Sequence, residues 1–296
     1  MYEEVSGSFA DTVARAIAWL EDQRGNDFFL FLHSYAVHHP YTPTRESLAF
    51  LEPAYEGPLP DEISVELLKR INAGEVKISD QDLKHIKNTY DAEIRDMDAA
   101  LGSFLSWLKD EGLYENTLLV FTSDHGEEFG EHGWVGWHAH SLFDELLRIP
   151  LLVKLPRSTQ AGSVVEGLVQ SIDVAPTALD YLHLPAQGAF RGVSLRSQVD
   201  RNPEPPRAAV SQRDGSQESL HTSVRTDRWK LNGNALFDLE NDPGEKRPLA
   251  ADQRTDVRRQ LRALQGNALR GRAVPAKPVE LDEKTRAQLR ALGYLD

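Results

Sequence analysis

The sequence predicts an α/β fold: a mostly parallel sheet flanked by helices, followed by a small α+β subdomain that contains an antiparallel sheet. Three observations carry the expectation. Apolar runs of strand length alternate with stretches of helical period through the first part of the chain, the pattern of layered α/β structure. The first such run, "FFLFLHS", is apolar at every early position, as expected for a central strand covered on both faces. After about residue 196 the texture changes to short β-type runs closed by polar, Gly or Asp signals. The implied division is residues 1–200 for the α/β domain and 201–296 for the smaller one.

Each element follows from local chemistry. Residues 8–22 read as a helix, because Val13, Ala16, Ile17 and Leu20 recur at helical spacing and Gly25 and Asn26 stop it. "FFLFLHS" (28–34) is a strand, and "AVHHPYTP" a loop at its C-terminal end punctuated by Pro40 and Pro43. Residues 44–80 are irregular and acidic. Residues 82–110 form the clearest helix, with Ile86, Tyr90, Ile94, Met97, Leu101, Phe104, Leu105 and Leu108 on one stripe. Gly112 lies just past its end, where a helix C-terminus favours glycine. "NTLLVFTS" (116–123) and "RIPLLVKLP" (148–156) are strands, and "QSIDVAPTALDYL" (170–182) is a helix with Pro176 in its first turn. "RNPEPPR" (201–207) reads as a linker. "AAVSQ", "HTSVRT", "RWKLN" and "ALFDLE" form the small antiparallel sheet, and 251–292 is charged and helical in character.

Composition narrows the function classes. The 296 residues are 40% apolar and 27% charged, which marks a globular chain. The net charge of −13 argues against nucleic acid as a partner, since phosphate binding needs a basic face. There is no cysteine, so disulfides and thiolate metal sites are excluded. No apolar run approaches the length of a transmembrane segment, and the acidic, polar start "MYEEVSGSFADT" does not read as a signal peptide.

Two loops stand out. Seven of the ten histidines lie in "HSYAVHHPY" and "SDHGEEFGEHGWVGWHAH": His33, His38, His39, His125, His132, His138 and His140. Both loops follow apolar runs read as strands, and ligands of open α/β sheets bind beyond strand carboxyl ends. In "FTSDHGEEFGEHG" four carboxylates accompany two of these histidines. Asp124 and His125 come directly after the strand, and Gly126 lets the backbone turn sharply there. An Asp–His pair is a candidate set of metal ligands, and a metal would account for the carboxylate excess. At least one of His39, His132 and the His138/His140 pair reads as a plain surface residue.

The segment "TYDAEIRDMDAALGSFLSWLKDEGLYENTLLVFTSDHGEEFGEHG" resembles the central signature of the sulfatase family, within the alkaline-phosphatase-like superfamily. "SLFDELLRIPLLVKLP" is similar to the segment that follows in that family, and "VHHPYTP" to its His-x-Pro-Tyr loop. "QSIDVAPTALDYLHLP", "FRGVSL", "RWKL…ALFDLENDPGE" and the terminal "LRALGYLD" resemble the family's C-terminal part in order. The resemblance implies an alkaline-phosphatase-like α/β fold and metal-dependent hydrolysis of a small-molecule or carbohydrate sulfate ester. It implies that Asp124 and His125 bind the divalent metal. His38 matches the histidine that contacts the sulfate group. His138 or His140 falls near the family's sulfate-contacting lysine, though no lysine lies between Gly133 and Arg148 here, and Phe143 stands where the family often has tyrosine.

The catalytic set expected is therefore His38, His138 and His140, and the metal set Asp124 and His125. Ca²⁺ is the first expectation for the ion; a histidine ligand leaves Mn²⁺ or Zn²⁺ open, because Ca²⁺ prefers oxygen. The family's opening metal motif and its Cys/Ser-x-Pro-x-Arg nucleophile, which becomes formylglycine, have no counterpart in this sequence. The chain resembles the C-terminal two-thirds of a sulfatase, with formylglycine expected only upstream. Two alternatives accompany this reading: a phosphodiesterase or phosphonate-ester hydrolase of the same superfamily, and a catalytically inactive sulfatase-like fragment.

Overall fold

The computed structural model describes residues 8–269 and 283, apart from 53, 186–189, 201, 203–206 and 214–220. Helix α1 (Phe9–Asp22) begins at Ser8, whose hydroxyl accepts from the Asp11 backbone N–H while the Asp11 carboxylate accepts from the Ser8 backbone N–H. Such reciprocal capping satisfies donors that the first helical turn leaves open. The long helix α4 (Asp80–Asp110) starts the same way, with Ser79 and Asp82. It ends at Gly112, whose φ of 70° is a conformation that glycine adopts without steric cost. Val13, Ala16 and Leu20 of α1 are buried against Phe104 and Leu108 of α4. Burial of each Val, Leu or Phe side chain here contributes about 1.5–3 kcal/mol, and the Ala16 methyl less.

The acidic stretch after the first loop is more regular than its sequence suggests. It forms α2 (Arg45–Leu51) and α3 (Val65–Asn72), capped by Thr44 and Ser64. Tyr41 and Ile63 exchange two backbone hydrogen bonds of 2.9 Å and are both fully buried. They join Leu68, Ile71, Ile86, Phe129 and Val135 in a second core. Of the α4 stripe, Ile86, Phe104 and Leu108 are buried, whereas Ile94 is exposed.

The sheets differ from the expectation. The α/β character holds, but the expected parallel pairing is absent among the described residues. Strand β1 (Leu119–Thr122) pairs antiparallel with β4 (Leu151–Lys154). The reason lies in the connection. A parallel return needs a crossover element, and here the chain between them folds back through the hairpin β2 (Glu128–Phe129) and β3 (Val135–Trp137) and the four-residue helix α5 (Asp144–Leu147). Residues 28–34 run without a ladder. Phe28, Leu30 and Leu32 pack toward α1 and α4, while Phe29 and Phe31 remain 82% and 75% exposed. A run that reads as apolar on both faces has one face covered.

Helix α6 (Val174–Tyr181) follows a single 3₁₀ turn at Ser171–Asp173, and α7 (Arg196–Val199) is short. The antiparallel sheet matches its expectation: β5 (Ala209–Arg213), β6 (His221–Arg225), β7 (Trp229–Asn232) and β8 (Ala235–Asp238) pair in sequence order. Val257 and Leu261 of α8 (Thr255–Leu269) cover Val224, Leu231 and Leu236. Most of the proposed linker 201–207 lies outside the described residues, as do the helical expectation beyond Leu269, save residue 283, and the terminal "LRALGYLD". Among the described residues, no helix is long and apolar enough to cross a membrane.

One buried ion cluster ties this sheet to the loop that follows β3. The Lys230 ammonium is fully buried between Asp144 Oδ1 at 2.7 Å and Glu245 at 2.8 Å. Arg225 reaches the other Asp144 oxygen at 3.1 Å. Removing one partner from a buried ion pair typically costs about 3–5 kcal/mol, because the remaining charge loses its compensation. Lys230→Met is expected to lower unfolding free energy by about that amount in urea denaturation. A change under about 1 kcal/mol would show that Arg225 alone suffices.

Candidate active site

The first loop owes its shape to helix α4. The Thr42 backbone N–H donates to Glu93 Oε1 at 2.6 Å, and the Thr44 N–H donates to Asp96 Oδ2 at 2.7 Å. Tyr41 is held by Ile63 and donates its hydroxyl proton to Glu127 Oε2 at 3.0 Å. With the C-terminal flank anchored in this way, His38 and His39 face inward. His38 is half-buried and His39 only 4% exposed. His39 stacks on Trp137 at 4.9 Å with an interplanar angle of 7°.

The second loop is built by two adjacent carboxylates. Gly126 donates its N–H to Leu146 O at 2.9 Å, and a Cβ there would collide with the Glu145 carbonyl. Glycine is required by that close approach. Glu128 is fully buried. Its Oε1 accepts from the His132 and Trp134 backbone N–H groups at 2.7 and 2.8 Å, and its Oε2 lies 2.7 Å from His140 Nε2. Glu127 faces the other way. Its Oε1 is 3.1 Å from His138 Nδ1, and its Oε2 is 3.9 Å from His39 Nδ1. Burial pushes the Glu127 carboxyl up, but the hydrogen bond from His138 and the charge interaction with the nearby His39 and His138 rings outweigh it and hold the group at about 2.

The expected site residues fall into two groups. His38, His125 and His138 come together: the ring centroids of His138 lie 4.7 Å from His38 and 4.0 Å from His125. Ligand-type atoms of the three lie within 4.8 Å of one another. Asp124 Oδ1 sits 3.8 Å from His125 Nε2, so the two atoms can face one cation. His125 Nδ1 contacts Gly126 O at 2.8 Å and His38 Nδ1 contacts His39 O at 2.7 Å. A ring whose Nδ1–H donates to a carbonyl presents the lone pair of Nε2, the arrangement usual for metal-binding imidazoles. Burial first, with the neighbouring imidazoles, lowers the His38 pKa to about 4, against the hydrogen bond to His39 O. His140 stands apart, tied to Glu128 and stacked on Trp134 at 4.8 Å.

The surface-histidine expectation fails for all of its candidates. His39 is buried. His132 is clamped between Glu145 Oε1 at 2.5 Å and the Glu245 carbonyl at 3.1 Å, with Phe143 stacked on it at 3.5 Å. Sequence reasoning missed Glu127, His39 and Tyr41 as members of the cluster. Four carboxylates in one loop carry no mark of which turns inward. The only available signal was the place of Glu127 two residues after His125, on the strand-to-hairpin turn.

With this geometry in hand, comparison with known proteins places the chain. The Sulfatase family model matches residues 4–184, and the model for the C-terminal part of N-sulphoglucosamine sulphohydrolase matches residues 130–268. The chain belongs to the sulfatase family. It is 31% identical over 205 residues to the multifunctional alkaline phosphatase superfamily protein PehA of Trinickia caryophylli, covering 61% of this chain and 39% of that one. It is 32% identical over 117 residues to N-acetylglucosamine-6-O-sulfatase of Bacteroides thetaiotaomicron, covering 40% and 21%. Arylsulfatase K of Bos taurus is 31% identical over 193 residues, covering 59% and 35%. The chain thus spans at most 39% of the length of these three relatives.

Two solved structures share the fold. A protein in complex with its substrate D-glucosamine-2-N,6-O-disulfate superposes with a TM-score of 0.72 at 18% identity, over 89% of this chain and 70% of that one. The phosphonate monoester hydrolase of Silicibacter pomeroyi gives 0.70 at 21% identity, over 94% and 63%.

The anchoring of the first loop makes a pH prediction. Burial raises Glu93 from 4.5 to about 7, against the hydrogen bonds from Thr42. An acid whose folded pKa is raised stabilises the fold in its protonated form, so this contribution is present below 4.5 and is lost as pH rises through about 7. Between these limits the parent should lose more thermal stability than Glu93→Gln. Parallel melting profiles from pH 4.5 to 8 in the two proteins would remove Glu93 as the cause.

Proposed function

We propose that this chain supplies the metal-holding and leaving-group side of a hydrolase for sulfate esters, with carbohydrate sulfates as the leading substrate class. The observation that carries the reading is the approach of Asp124 Oδ1 to His125 Nε2 beside the rings of His38 and His138. Two relatives named as sulfatases, one of them for N-acetylglucosamine 6-O-sulfate, support the substrate class. So does a fold neighbour bound to a sulfated glucosamine. The division of the chain at residue 200 belongs to the same proposal, as does the placing of the nucleophile in the part of the relatives that this chain does not match.

The residues fit a divalent cation. Asp124 offers a charged oxygen from a largely exposed side chain, and His125 offers a nitrogen oriented by its own Nδ1 contact. A mixed oxygen and nitrogen set suits Mn²⁺ or Zn²⁺ at least as well as Ca²⁺. When bound, the cation supplies positive charge facing the sulfonyl oxygens. His38, from the opposite loop, orients the sulfate group once the arriving anion draws a proton onto its Nε2. His138 protonates the departing alcohol oxygen, with the anionic Glu127 beside its Nδ1 stabilising the charged ring. His140 is the weaker candidate for that role, because Glu128 holds its Nε2.

A phosphonate-ester or phosphodiester hydrolase is the second reading. The histidine in the metal pair favours it, and the phosphonate monoester hydrolase among the fold neighbours is consistent with it. Relative turnover of matched sulfate and phosphonate monoesters decides between the two.

Asp124→Ala and His125→Ala are each expected to lower divalent-metal occupancy, measured by elemental analysis after dialysis. Occupancy equal to the parent in Asp124→Ala would remove the site assignment. In protein that carries the nucleophile, His138→Ala should reduce turnover about 10²- to 10⁴-fold for poor leaving groups. The loss should shrink for acidic leaving alcohols. His140→Ala should show no such dependence. The opposite pattern would exchange the two roles, and no dependence in either would place the acid elsewhere.

A further inference from the structure

Directly behind the Asp124–His125 pair lies a second cluster that the proposed reaction uses only in part. His39, Glu127 and His138 offer ligand-type atoms that all lie within 4.8 Å of one another. Their side chains are 4%, 4% and 7% exposed. His39 Nδ1 is buried and makes no hydrogen bond, yet it lies 3.9 Å from Glu127 Oε2. His138 Nδ1 lies 3.1 Å from the other oxygen of the same carboxylate. Tyr41 donates to Oε2 and fixes the carboxylate plane.

The charge arrangement is unusual. Among the described residues, the ion-pair partners of Glu127 are two histidines, with no lysine or arginine. A buried carboxylate needs nearby positive charge. An imidazole nitrogen sealed from water beside that carboxylate also needs a partner. One divalent cation satisfies both demands at once.

We infer that His39, Glu127 and His138 form a second cation seat, a two-histidine, one-carboxylate set for a borderline divalent ion of the Zn²⁺ or Co²⁺ type. This donor set suits imidazole-preferring transition metals rather than Ca²⁺ or Mg²⁺, which select oxygen. His138 offers Nδ1 to this ion, so with the seat filled its ring is held neutral and the acid role proposed above passes to another group; the ring stacks 4.0 Å from His125. The two seats are therefore neighbours, joined through the His125–His138 contact. The inference concerns the chain's own side chains and stands whether the ester cleaved is a sulfate or a phosphonate.

The test is a Co²⁺ titration of the full chain after chelation, following visible ligand-field bands and bound equivalents. The parent should bind two equivalents. Glu127→Gln and His39→Gln should each lose one, while Asp124→Ala should lose the other and keep the nitrogen-ligated spectrum. Tyr41→Phe, which removes only the hydroxyl, should keep both. Two equivalents surviving in Glu127→Gln would overturn the site, as would a parent whose single equivalent disappears in Asp124→Ala. A single equivalent that survives Asp124→Ala but not Glu127→Gln would uphold this seat and remove the other. If Glu127→Gln does not fold, Asp124→Ala decides. Retained cobalt with imidazole outer-shell scattering in X-ray absorption supports the seat, and no retained cobalt overturns it.

Discussion

Glu128 has no exposed surface, and both of its oxygens serve the loop in which it lies. Two backbone N–H groups and one imidazole converge on it, so the turn from His132 to Trp134 closes around a carboxylate. The low dielectric that makes such bonds strong also makes an unmet buried charge costly. The loop consequently has one arrangement that satisfies Glu128. That arrangement sends Glu127, its neighbour in sequence, to the opposite side and into the histidine cluster. Everything functional on this loop inherits its position from that pairing.

The cluster is crowded with imidazoles. His38, His39, His125 and His138 lie in ring contact with one another, and Glu127 is the carboxylate among them. Burial and neighbouring imidazoles keep His38 neutral at ordinary pH. Neutral imidazoles are ligands and bases, whereas charged ones contact anions and act as acids. A cation held at one edge and an anion arriving at the other would draw these rings toward different protonation states. The site is arranged to separate those roles by position.

The antiparallel sheet is more than an appendage. Lys230 and Arg225 reach across to Asp144, and the Glu245 carboxylate accepts from the Asp144 backbone N–H at 2.7 Å. The Glu245 carbonyl meets His132, which also contacts Glu145. The segment after β3 is therefore braced from behind, close to where it carries His138 and His140. Helix α4 plays the matching part for the first loop through Glu93 and Asp96. The first loop, which follows a run (28–34) with no ladder of its own, and the second, which holds only the short β2–β3 hairpin, are placed by rigid elements beside them.

Much of this was legible in the sequence. Helix α4, the meander β5–β8 and both histidine loops follow from periodicity, turn chemistry and ordered motifs, because those signals are local. The same motifs supported Asp124, His125 and His38 as site residues, and the structure brings His38 and His125 together with His138. Strand direction was not legible: β1 and β4 run antiparallel because of how the intervening chain folds back, and a run of apolar residues does not encode its partner's direction. Neither was the choice among adjacent carboxylates and histidines. Glu127 and Glu128 are neighbours of identical chemistry, as are His38 and His39, and His138 and His140 are separated only by Ala139. What separates them is which side of a hairpin each faces and which buried donor awaits it there, and only the packed tertiary structure decides that.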